Sequence, residues 1–199
     1  MLLLRGRPDA VATWAQRGLS PVHVVPLDGW TAVLPAGPSR ARAPYDDTIR
    51  TLAGRHVASR LRSAIGLFVV DGKAVVTVHP TGWRAIPRWI LWSPGRGVAR
   101  PWHLAAGQPA DLLTAAGLRD AEVRRDVRDI LLAADGDADR VLADLIRVLS
   151  LPGSDLLVEG QDPATAQGST LVEPDEHQLA RFDRIVSDQA LHRAEQEAD

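Results

Sequence analysis

The sequence contains no cysteine, and Lys73 is the only lysine among its 23 basic residues. The absence of cysteine excludes disulfides, thiolate zinc sites, iron–sulfur clusters and cysteine nucleophiles, and is compatible with a reducing compartment. No apolar run approaches the roughly 18–20 residues of a membrane-spanning helix. Arg5 and Arg7 interrupt the short apolar start before it could form the core of a signal peptide. The sequence therefore predicts a soluble, cytoplasmic protein without a membrane span.

The familiar catalytic and metal-binding motifs are also missing. No two of the six histidines lie three or four residues apart, so the chain has no helical pair of metal ligands. It has no nucleophile elbow and no phosphate-binding loop. The aspartate-rich stretch 135–139 has Arg140 and Ile146 where a calcium loop needs glycine and glutamate. We therefore predict no catalytic residue, no cofactor and no metal site, and favour a protein that is not an enzyme.

The net charge of −2 conceals a strong division along the chain. Residues 1–107 carry 14 basic and 5 acidic side chains, whereas residues 108–199 carry 9 basic and 20 acidic ones. Such an asymmetry is typical of a chain with a surface that binds a polyanion, or with an acidic tail. It also fits two parts of opposite charge that dock on each other. The sequence leaves both interpretations open.

Two apolar stretches within residues 64–79 flank the dipeptide Asp71-Gly72. Asp-Gly is typical of the type I′ turn of a β-hairpin, which predicts that Val70 lies opposite Lys73 and Phe68 opposite Val75. One face of this hairpin is then entirely aliphatic and forms part of a core. The other face is mixed.

Further strand and helix patterns surround this hairpin. They predict an α+β fold with a mainly antiparallel sheet of five to six strands, in which two helices cover one face. Residues 1–107 form this basic α+β domain. An acidic helical hairpin over residues 108–159 packs on it. Residues 160–174 form a linker and residues 175–199 a C-terminal helix or tail.

Four of the six tryptophans and four arginines lie within residues 82–103, which contain no acidic residue. Tryptophan and arginine dominate protein–protein hot spots, and the same mixture suits single-stranded nucleic acid. The alternative is that the rings belong to the core and the arginines to the surface, and because both faces of residues 89–92 are apolar, we expect at least some of the rings to be buried. We predict that this segment binds a partner through Trp83, Arg84, Arg88, Trp89, Trp92, Arg96, Arg100 and Trp102.

These observations lead to three hypotheses of function. The first is a non-catalytic interaction protein, an adaptor or regulator, whose partner is another protein or a second copy bound through the last helix. The second is a nucleic-acid-binding protein whose acidic C-terminal region masks the basic surface. The third is a small-ligand-binding protein or enzyme with a pocket on the mixed face of the hairpin, beside Phe68, Thr77 and His79.

Overall fold

The Asp71-Gly72 turn joins two strands in the predicted register, with Val70 opposite Lys73 and Phe68 opposite Val75. Both turn residues have positive φ angles, 51° and 70°, as a type I′ turn requires. These strands lie within one antiparallel sheet in the computed structural model, so the predicted α+β class is confirmed. The structure describes residues 1–82, 85–100, 102–157 and 161–197, with the side chains of the last helix described as far as residue 189.

The sheet has eight strands, so the expectation of five to six is wrong. The strands are β1 (Leu2–Leu4), β2 (Val22–Leu27), β3 (Trp30–Pro35), β4 (Ala64–Val70), β5 (Lys73–His79), β6 (Arg88–Ser93), β7 (Gly97–Ala99) and β8 (Thr170–Val172). Their order across the sheet is β7-β6-β5-β4-β1-β3-β2-β8. The two unpredicted strands, β7 and β8, have three residues each, too few for an alternating pattern. Thr170–Val172 lies inside the predicted linker, yet it pairs with β2.

Six helices complete the described part of the fold: α1 (Pro8–Ala15), α2 (Thr48–Gly54), α3 (Pro109–Ala116), α4 (Ala121–Leu132), α5 (Ala138–Val148) and α6 (Glu176–Glu197). Asp47, Asp120 and Asp137 cap α2, α4 and α5 by accepting hydrogen bonds from backbone N–H groups of the first turn, as their positions predict. None of these described helices is long and apolar enough to cross a bilayer.

Helices cover both faces of the sheet, not one as expected. The aliphatic face of the hairpin packs against α3, α4 and α5, whereas α1 and α2 pack on the face that carries Phe68. The reason is visible in β1, where the adjacent residues Leu2 and Leu3 point to opposite faces and are both buried. A strand that is apolar on both sides needs a cover on each side.

Because the basic and the acidic parts of the chain supply the helices on opposite faces, the two faces of the sheet differ in charge. The segments that carry α1 and α2, residues 7–20 and 36–63, contain eight basic and three acidic side chains, whereas residues 108–151 contain six basic and nine acidic ones. Among the described residues, only two ion pairs join residues 1–107 to the rest, Arg88–Asp111 and Arg40–Glu173, each at 3.2 Å. The two parts are therefore held together mainly by their shared apolar core.

Candidate functional site

The eight residues of the predicted partner-binding set differ widely in exposure. Trp92 is completely buried under α4, and its indole N–H donates to the Ala133 carbonyl at 2.8 Å. It belongs to the core, so its place in the predicted set is corrected. Trp89 is half-buried on the opposite face of β6, among the residues covered by α1 and α2. Strand alternation explains the split, because both faces of β6 are buried.

The arginines of the set differ in the same way. Arg88 is held by its ion pair with Asp111 of α3. Arg96 and Arg100 are exposed, and neither forms an ion pair with another described residue. Trp83 and Arg84 lie outside the described residues.

One compact stretch keeps the predicted combination of exposed rings and charge. Trp102 is 86% exposed, just beyond the terminal strand β7. The left-handed backbone of His103 (φ 63°) turns the chain there, and its ring meets the Trp102 ring edge-on at 5.5 Å. Two further apolar side chains, on Val98 and Leu104, are 41% and 44% exposed. We call this stretch the β7 surface, formed by Arg96, Val98, Arg100, Trp102 and Leu104.

The pocket proposed for the mixed face of the hairpin is not open. Phe68, Thr77 and His79, which were to line it, are 2%, 0% and 2% exposed, because α1 and α2 cover this side of the sheet. Burial, together with the nearby charges of Arg62 and His56, lowers the pKa of His79 to about 4. Neither the hydroxyl of Thr77 nor Nδ1 of His79 has a hydrogen-bond partner among the described residues.

One concave site, among several in the described part of the chain, combines arginines with aromatic rings, and the sequence did not indicate it. Between the end of α1, the Pro44-Tyr45 turn, α2 and α6 lies a cavity of about 480 Å³, open to solvent. Its lining includes three arginines and no carboxylate. We call it the arginine groove, defined by Arg17, Ser20, Tyr45, Arg50, Arg55 and Phe182. Four separated segments form it, so no local motif could have revealed it.

The guanidinium of Arg55 is fixed in the wall of this groove. It lies 3.7 Å from the centre of the Trp14 ring and donates to the backbone carbonyls of Trp14 and Ala15. Burial lowers the pKa of Arg55 to about 10, which leaves it charged at neutral pH. A charge in this position has lost much of its hydration, and no described carboxylate compensates it.

The other polar residues of the groove differ in their partners. Arg50 is paired with Asp47 at 3.1 Å and with Asp71 at 2.6 Å. Arg17 is exposed and makes no ion pair with any residue that the structure describes. Ser20 is only 7% exposed, and its hydroxyl has no hydrogen-bond partner in the described part of the chain. The opposite wall is aromatic, with Tyr45 and Phe182 packed edge-to-face at 5.0 Å.

Metal ligands do not converge in the described part of the chain, where no three histidine or acidic side chains are placed to hold an ion. Comparison with known proteins adds no assignment: no family model, no curated protein and no solved structure matches this chain. The functional argument therefore depends on the geometry and charge of the β7 surface and the arginine groove.

Proposed function

We propose that this chain is a non-catalytic interaction protein, an adaptor or regulator, that binds an acidic segment of a protein partner through the β7 surface. One observation carries the proposal: Trp102 is 86% exposed in the same short stretch as two exposed arginines, at the terminal strand of the sheet. A ring of this size in water is unusual for a side chain with no partner, and tryptophan and arginine are the residues most enriched in binding hot spots.

The chemistry of the surface defines the chemistry of the partner. Val98 and Leu104 add exposed apolar side chains to the stretch that contains Trp102, and Arg96 and Arg100 add positive charge that no described carboxylate pairs. A segment with an apolar anchor flanked by aspartate or glutamate would bury the ring and form charge-assisted hydrogen bonds with the guanidinium groups. As the outermost strand of the sheet, β7 also offers backbone groups to an extended segment.

Nucleic acid remains the alternative ligand for the same surface, but fewer features support it. Stacking on single-stranded bases uses several rings in succession. Trp92 is in the core and Trp89 is half-buried, so within the described residues Trp102 is the one tryptophan of this segment that a base could reach fully. We therefore favour the protein partner.

Selection of a phage-displayed library of random dodecapeptides on the purified full chain tests the proposal. We expect enriched peptides to combine an aromatic or aliphatic residue with aspartate or glutamate. Trp102→Ala should reduce the affinity for a selected peptide by tenfold or more, because truncating a hot-spot residue costs about 2 kcal/mol or more of binding free energy. Arg100→Gln should reduce the affinity for the peptide by a smaller factor than Trp102→Ala does. This reduction should be larger at low salt than at high salt, because salt screens the charge of Arg100.

Leu171→Ala provides the matched control, since Leu171 is an apolar residue that is 54% exposed on β8, the strand at the opposite edge of the sheet from β7. Peptides that bind the Trp102→Ala protein as tightly as the wild type, or a selection that enriches nothing, would refute the proposal.

The nucleic-acid alternative has its own test, with fluorescence anisotropy of a mixed-sequence single-stranded DNA of 20 nucleotides. If this surface binds phosphates, affinity should fall steeply between 50 and 200 mM salt, because each phosphate contact releases counterions. Arg96→Gln with Arg100→Gln should then reduce the slope of that dependence by about 1–2. Binding that is absent at 50 mM salt would exclude this alternative, whereas steep salt dependence without peptide binding would replace the proposed function by it.

A further inference from the structure

We infer that the arginine groove binds a small organic anion, a carboxylate or phosphate group attached to an apolar body. None of the residues that line it belongs to the β7 surface, so this site is independent of the proposed protein interaction. Its volume of about 480 Å³ falls within the range of roughly 300–1,000 Å³ of small-molecule sites.

The hydroxyl of Ser20 is the first observation that points to a ligand. Ser20 lines the groove and is only 7% exposed, and no group that the structure describes forms a hydrogen bond with its hydroxyl. Burying a hydroxyl in this way costs stability unless something completes its hydrogen bonding. An anionic oxygen in the groove would accept the Ser20 O–H and remove that cost.

The positive charge of the groove is the second, independent observation. Arg55 is held rigidly over Trp14 by two backbone carbonyls, which satisfy donors but carry no formal negative charge. Arg17 is exposed at the same groove and has no acidic partner among the described side chains. A bound carboxylate or phosphate would compensate both charges, and the fixed orientation of Arg55 lowers the entropic cost of binding.

Glycine allows the Arg55 guanidinium to pack against the backbone after α1. A Cβ atom on Gly18 would lie 2.6 Å from Nη1 of Arg55, so a larger residue there would displace the guanidinium. A Cβ on Gly54, which also lines the groove, would meet nothing within 4 Å. The position of the guanidinium therefore depends on Gly18, and the groove has open space at Gly54.

The apolar part of the ligand has a matching surface. Tyr45 and Phe182 form one wall, and Leu52, at 5% exposure, lies among the lining residues. Because Phe182 comes from α6 and Tyr45 from the loop before α2, a ligand against both rings would also hold α6 to the body. An anion without an apolar body would leave this wall uncovered, which favours an amphiphilic ligand over inorganic phosphate.

Titration of the full chain with 1-naphthoate, 1-naphthyl phosphate and the neutral 1-naphthamide, followed by ¹H–¹⁵N NMR, tests this inference. We expect at least one anion to bind with a Kd of about 1 mM or tighter, as its size allows. The amide should bind at least tenfold more weakly, because it cannot compensate the arginines. The two anions separate a carboxylate site from a phosphate site. The shifted resonances should include residues 17–20 and 50–55.

Two variants locate the anion within the groove. Arg17→Gln should weaken the tighter probe by about tenfold, while Arg7→Gln, an arginine that is 87% exposed outside the groove, should leave the Kd unchanged. Ser20→Ala should also weaken the probe several-fold. In the free protein, however, it should raise Tm by about 2–4 °C, because it removes an unsatisfied buried hydroxyl.

Ser20→Ala should thus lower the affinity for the probe and raise Tm. If Ser20 had only a structural role, the substitution would lower both the affinity and Tm. The inference is overturned if neither anion saturates below about 10 mM. It is equally overturned if the neutral amide binds as well as the anions, or if neither Arg17→Gln nor Ser20→Ala changes the Kd.

Discussion

Replacing Trp92 by alanine should lower the free energy of unfolding by about 3–5 kcal/mol, the cost of removing a large aromatic side chain from a packed core. Trp92 is completely buried, and its indole N–H bonds the carbonyl that follows α4. The substitution therefore leaves a cavity between β6 and α4 and an unpaired carbonyl at Ala133. Denaturant unfolding followed by circular dichroism at neutral pH measures the loss.

Trp102→Ala is the control, because the same chemical change is made ten residues away on a side chain that is 86% exposed. We expect it to change the free energy of unfolding by no more than about 0.5 kcal/mol. The two substitutions should thus have opposite profiles, one affecting stability and the other peptide binding. Equal losses of stability would show that the division of this segment into core and surface is wrong.

Lowering the pH from 6.5 to 4 should destabilise the protein by about 3 kcal/mol through His79 alone. An ordinary histidine has a pKa near 6.5, whereas burial and the positive charges of Arg62 and His56 lower the pKa of His79 to about 4. Between these values the unfolded chain binds the additional proton, so its population increases as the pH falls. This contribution to stability is complete above pH 6.5 and lost below about pH 4.

His79→Leu isolates that contribution, because the leucine has no proton to bind. The difference in unfolding free energy between wild type and variant should therefore shift by about 3 kcal/mol between pH 7 and pH 4. Burial also lowers the pKa of the Met1 amino group to about 5. Its contribution to the pH dependence is the same in both proteins, so it cancels in the difference between wild type and variant. A parallel pH dependence in wild type and His79→Leu would contradict the prediction.

Interactions between residues close in sequence could be predicted from the sequence. The Asp-Gly dipeptide determined the turn and register of the central hairpin. Asp47, Asp120 and Asp137 each cap a helix by accepting a hydrogen bond from a backbone N–H two or three residues further along the chain. These features need only a turn geometry or one side chain that bonds its own backbone. The unequal charge of the two parts is likewise a property of the sequence.

Features that join distant segments could not be predicted in this way. The edge strand β8 exists because Thr170–Val172 meets β2, and three residues carry no periodic signal of their own. Trp92 and Trp102 lie in the same tryptophan-rich segment, yet one is core and the other surface, because α4 covers only the first. Local composition cannot distinguish them.

By itself, then, the sequence determined the α+β class, the hairpin, the helix caps and the uneven distribution of charge, all of which follow from neighbouring residues. Only the tertiary structure decided that helices cover both faces of the sheet, which closes the predicted pocket around His79 and separates the basic helical layer from the acidic one. It also assembled the arginine groove from the end of α1, the Pro44-Tyr45 turn, α2 and α6. Such sites depend on which segments pack together, and packing is determined by burial over the whole chain rather than by any one stretch.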